Sequence, residues 1–146
     1  MERAEMAKLW SDMAGEGNWV PSWPASLAGL DVDEAAVPPV VGCHSIWQET
    51  AHVIFWRRAT LTQMAGGAAP SDEENAGSQF AMPENATKAL WAATLADLSQ
   101  THDAIAAAIE NEAMDVSRVP FHLIHDAYHL GRITQVRAML GTEPPF

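Results

Sequence analysis

A chain of 146 residues is long enough for one hydrophobic core and short for two, so residues 1–146 are expected to form a single domain. With 19 acidic against 8 basic side chains the net charge is -11, which repels phosphate backbones and anionic lipid, and no stretch nears the roughly 18 apolar residues of a membrane span. Neither nucleic acid nor membrane is an expected partner, and one cysteine with no secretory leader pattern points to a cytoplasmic, disulfide-free protein.

Alanine is abundant, and proline and glycine gather in a few stretches, a pattern that predicts an all-α chain of four helices. The first helix, over about residues 2–14, sets Met6, Leu9, Trp10 and Met13 on one face. A long segment follows, GEGNWVPSWPASLAGLDVDEAAVPPVV, whose Trp19 and Trp23 argue that it packs on the helices. The second helix, over about residues 43–65, is apolar on more than one side and is expected to be the most buried. The acidic, glycine-rich stretch 66–82 predicts a mobile surface loop. A third helix is expected from Pro83 to about Met114, with proline in its first turn, and a fourth from Asp115 or Ser117, either of which can cap it. Leu140 should close the fourth, ahead of Gly141 and the Pro144-Pro145 stop.

Four helices around one core predict a four-helix bundle. The segment between helices 1 and 2 can span a bundle of roughly 35 Å, so it is expected to be a long crossover that leaves those two helices parallel. A short link near Asp115 makes helices 3 and 4 antiparallel.

The stretch HLIHDAYHLG, residues 122–131, holds three of the six histidines. At about 100° per residue, His125 and His129 share a stripe with Ile133, Val136 and Leu140 that faces inward, with His122 at its edge. On the second helix His52 lies among Trp47, Phe55 and Trp56; His44 and His102 have no comparable company. Histidines at i and i+4 can reach one ion, and a third from another helix completes a facial set with open positions. A satisfied, buried histidine network explains the same spacing, and both readings stand at this point. Asp126 gives His125-Asp126-Ala127-Tyr128-His129 a likeness to H-E-x-x-H with a shorter acid, which reads as a carboxylate behind the ligands or on the helix surface, and less well as a hydrolytic base.

HDAYHLGRI resembles the fourth-helix signature of the DinB/YfiT-like superfamily, and HSIWQETAHVIFWRR resembles its second-helix pattern of S-I-W, a ligand histidine and an aromatic pair. GNWVPSWPASLAGLDVDEAAVPP is similar to that family's segment between helices 1 and 2. The resemblance implies a four-helix bundle, commonly a homodimer, that binds a divalent ion such as zinc or nickel through His52, His125 and His129. It further implies a small-molecule substrate and a metal-dependent transferase in which a low-molecular-weight thiol of the bacillithiol or mycothiol type attacks an electrophile. Asp126 and Tyr128 are then candidates to supply a hydrogen bond in catalysis. Arg132 stands where the family commonly has glutamine; it is a candidate for binding an anionic substrate, with a solvent-facing side chain the simpler expectation. A hydrolase using water on the same ligands and a non-catalytic metal-binding module are the alternatives. Cys43, with no neighbouring base, is not expected to be a nucleophile.

Overall fold

The computed structural model describes residues 1–142, which form seven helices and no strand; the Pro144-Pro145 stop lies outside them. They are α1 (Arg3–Asp12), α2 (Trp23–Leu27), α3 (Val32–Ala36), α4 (Ile46–Met64), α5 (Asp72–Ser78), α6 (Lys88–Glu110) and α7 (Val119–Leu140). The four expected helices are α1, α4, α6 and α7, and α4 is the most buried of them.

Capping moves several boundaries inward. Ser45 accepts from Gln48 N while Gln48 Oε1 accepts from Ser45 N, a reciprocal pair that starts α4 at Ile46, three residues after Cys43. Thr87 caps α6 through Leu90 N, so Pro83 precedes the helix and is not in its first turn. The end of α6 comes at Glu110, before the expected Met114, and the Arg3 guanidinium takes up the Ile109, Asn111 and Met114 carbonyls there. Neither Asp115 nor Ser117 caps α7: Asp115 Oδ1 accepts from Ser117 N, and the helix starts behind Arg118 with Pro120 in its first turn. Gly141, at φ 74°, closes it in the left-handed conformation.

The contacts give the direction of each helix. Along α4 and α6, Trp47 meets Trp91, Arg57 reaches the Leu98 carbonyl and Met64 O accepts from Asp115 N, so the two run parallel. On α1, Arg3 lies beside Ile109 and Trp10 beside His102, so α1 opposes α6 and therefore α4. On α7, His125 meets His52 and His122 meets Thr60, so α7 also opposes α4. Helices α6 and α7 are antiparallel, as expected, but α1 and α4 are not parallel.

That corrects the expected crossover between helices 1 and 2. Helix α1 has ten residues, about 15 Å, so it ends partway along the bundle, and the segment after it continues in the same direction. Its short helices fill the space a longer first helix would occupy: Ala35 is fully buried and Trp23 nearly so, and Arg137 on α7 donates to the Ser26 and Ala28 carbonyls. Trp19 does not share in this packing and is fully exposed. The connection that must travel the bundle's length joins the parallel pair α4 and α6. It contains the expected loop 66–82, within which Ser71 and Glu74 form a capping box that starts α5.

Trp10, Ile46, Ile105, Ile109, Leu130 and Ile133 make the fully buried centre of one core. Beside them lie Glu49, Arg57 and Asp126, equally buried, and these charges lead to the candidate site.

Candidate metal centre

His52 on α4 and His125 and His129 on α7 come together: one ring nitrogen from each lies within 4.8 Å of the others. His52 Nε2 and His125 Nε2 are 3.1 Å apart, and the His129 ring centroid is 4.5 Å from each of the other two. His52 and His129 are buried, and His125 is the member that reaches the surface.

Two buried carboxylates hold the rings from behind. His129 Nδ1 donates to Glu49 Oε2 at 2.6 Å, which leaves Nε2 with its lone pair free. His125 Nδ1 lies 3.4 Å from Asp126 Oδ1, and His122 Nε2 lies 3.2 Å from the same oxygen, outside good hydrogen-bond geometry. Both acids are charge-balanced. Arg57 places Nε and Nη2 on Asp126 Oδ2, at 3.0 and 2.6 Å, while its own face lies between Trp10 and Trp23. Arg132 Nε donates to Glu49 Oε1 at 2.8 Å.

The electrostatics follow from this arrangement. Burial alone would raise the Asp126 pKa, but Arg57 and then His122 hold it well below the usual carboxylate range. Burial opposes ionisation of Glu49 as well, and its bonds from His129 and Arg132 bring it below its ordinary value. Burial, reinforced by His129 and His125, lowers His52 to about 4, so at neutral pH it is an uncharged imidazole. Its Nδ1 is buried without a well-formed hydrogen bond, the weak approach of the Gln79 backbone notwithstanding.

Three imidazole nitrogens drawn from two helices, each within 4.8 Å of the others, suit a divalent ion. Two nitrogens at about 2.0–2.1 Å from a tetrahedral zinc sit roughly 3.4 Å apart, close to the His52–His125 separation. A hydrogen bond between the two Nε2 atoms would satisfy only one pair of them, and His52 Nδ1 would remain buried and unbonded either way.

Residues 21–133 match the DinB superfamily. The chain belongs to that superfamily. No curated protein and no solved structure matches it. Within this DinB-superfamily chain a second group, His122, His125 and Asp126, also has ligand-type spacing. There the Arg57 guanidinium already holds Oδ2 of the carboxylate, and its positive charge opposes a second cation beside Oδ1.

Several sequence expectations change at the site. Asp126 is neither surface charge nor free base; it is fully buried and ion-paired. Arg132 does not simply point to solvent: it bonds Glu49 and lies 3.4 Å from the Tyr128 hydroxyl, whose own ring is more than half exposed. His102 has company after all, stacked on Trp10 with centroids 4.9 Å apart. His44 does too. It approaches Glu49 at 3.4 Å and stacks on Phe80, which in turn stacks on His52 at 4.1 Å, so the crossing segment covers one side of the centre. Glu49 and Arg57 belong to the site, although the spacing of the histidines among themselves includes neither. Glu49 stands three positions before His52, one helical turn away on the same face, and that spacing is the signal that could have found it.

Proposed function

We propose that His52, His125 and His129 bind one divalent ion, zinc or nickel by the chemistry of the donors, and that the protein is a metal-dependent transferase acting on a small molecule with a low-molecular-weight thiol. The observation that carries this is the convergence of three imidazole nitrogens, two of whose rings are steered from behind by a buried carboxylate. An ion held there supplies Lewis acidity, which lowers the pKa of a thiol drawn to it. The remaining work falls to the chain. Glu49 and Asp126 fix ring orientation and tautomer, and Phe80 keeps water from one side of His52.

The same carboxylates favour transfer over hydrolysis. Both are engaged by an arginine and by histidine, so neither is free to take a proton from water, whereas a thiol needs only a modest pKa reduction to ionise near neutral pH. Tyr128 and Arg132 are the polar groups nearest to hand for a substrate approaching over His129. Homodimerisation and a cytoplasmic location belong to the same proposal; the fully exposed Trp19 is the side chain with most to gain from a partner, and no helix among the described residues is long and apolar enough to cross a membrane.

Elemental analysis of the purified protein and of His129→Ala tests the reading. About one equivalent of metal in the wild type and its loss in the variant are expected, with folding followed by circular dichroism. A wild type that is metal-free and cannot be loaded refutes it.

A further inference from the structure

A cavity of about 380 Å³ lies in the groove between α4 and α7, closed by Ala69 from the crossing segment. Its α7 wall is Arg118, Phe121, His122 and His125, spaced i, i+3, i+4 and i+7 on one helix face. Facing them on α4 are Trp56, Thr60 and Gln63. The antiparallel register orders this lining. Thr60 meets His122 at 3.2 Å, so Gln63 lies toward Arg118, and Trp56 toward His125, where the candidate centre begins.

Three features of this groove point the same way. Although the chain carries a net charge of -11, no acidic side chain among the described residues lines the cavity. Of the six arginines, Arg3, Arg57, Arg58, Arg132 and Arg137 all donate to a carbonyl or carboxylate, whereas Arg118 makes no side-chain hydrogen bond or ion pair among the described residues. Asp115 feels its charge, but Asp115 is outside the lining and already accepts from Ser117. Finally, between Arg118 and His125 the lining offers two large aromatic side chains, Trp56 half-buried and Phe121 71 % exposed, beside the Thr60–His122 pair. A large aromatic left open beside an unpaired guanidinium is a recognition surface for a planar anion.

We infer that this groove binds the anionic end of the substrate: a small molecule with a flat apolar body and a carboxylate, its acid on Arg118 and its other end at His125. Seven residues of helix separate those two, about 10 Å, which is the length of one ring with a short substituent at each end. Gln63 can donate to the carboxylate's second oxygen, and Trp56 and Phe121 enclose the body. This names the substrate class for the transferase proposed above and rests on that reading only for the reaction, not for the binding.

The test uses benzoate, its neutral isostere benzamide and the cation benzylamine, titrated by calorimetry into chelator-treated protein so that no ion can capture the carboxylate. Benzoate is expected to bind about tenfold more tightly than benzamide, and benzylamine least. Arg118→Gln, an exposed position that does not threaten the fold, should remove the preference for benzoate and leave benzamide within about twofold; Trp56→Leu should weaken both. Equal affinities for benzoate and benzamide, or a benzoate affinity indifferent to Arg118→Gln, overturns the inference. Zinc uptake measured on the same samples separates the two ideas: benzoate preference without zinc uptake supports the groove and refutes the metal centre, and zinc uptake without benzoate preference does the reverse.

Discussion

Asp126 and Glu49 are two carboxylates in the same position relative to the candidate centre, each fully buried, each paired with an arginine and each behind a histidine. They differ in what surrounds the pair. Arg57, the partner of Asp126, is itself fully buried, held between two tryptophans and anchored to the Leu98 carbonyl on a third helix. Arg132, the partner of Glu49, has a side chain one-third exposed, and the neighbouring His44 side chain is 38 % exposed. The first carboxylate is therefore tied to the fold, the second to the site. Similar chemistry serves both, and dielectric surroundings decide which role dominates.

The sharpest way to break this contrast is Arg57→Ala. It strands a buried carboxylate and removes a guanidinium packed between Trp10 and Trp23, and should cost about 3–5 kcal/mol in urea denaturation. A loss below about 1 kcal/mol would mean that Asp126 is not held as described.

Acid comes next. Burial, and then Arg57, lower His102 to about 4 from an ordinary value of 6.5, so the unfolded chain binds this proton first. Its contribution to stability is intact above about pH 6.5, declines as pH falls toward 4, and amounts to about 3 kcal/mol at most. Both carboxylates, with lowered pKa values, lose stability in the same direction but at lower pH. His52, lowered to about 4 as well, adds a similar slope, so His102→Phe, which keeps a ring on Trp10, should remove about half of the pH dependence of the denaturation free energy between pH 6.5 and 4; an unchanged slope would assign it elsewhere.

On the side of Glu49 the expected change is in metal affinity more than stability. Glu49→Gln should weaken metal binding about 10- to 100-fold by loosening His129. Arg132→Gln should change stability by under about 1 kcal/mol and metal affinity by less than Glu49→Gln does. If Arg132→Gln proved the more damaging of the two, the guanidinium and not the carboxylate would be the positioning group.

What could be read in advance follows the same division. His125 and His129 are legible because helical spacing alone sets them on one stripe, and His52 because a second motif marks it. Arg57 and Arg58 are indistinguishable as letters, yet Arg57 is fully buried and Arg58 forms an exposed pair with Asp97. Only the packing of α6 and α1 against α4 tells them apart. The crossover was misplaced because loop length says how far a segment can reach, not how far it needs to. Helix α1 stops partway along the bundle, so the long segment after it completes a column and does not return across the bundle. Asp115 and Ser117 had the chemistry of caps, and they bond each other instead.

Phe80, stacked between His44 and His52, is carried by a segment whose two ends are pinned to parallel helices. Lifting such a cover means peeling part of the strap between α4 and α6 away from the helices. For an ion bound as proposed, exchange past His52 waits on that peeling, while the side at His125 stays open. Phe80→Ala should shorten the half-life of bound metal against a chelator severalfold while leaving the equilibrium constant nearly unchanged, making the site one whose contents are governed by time rather than by grip.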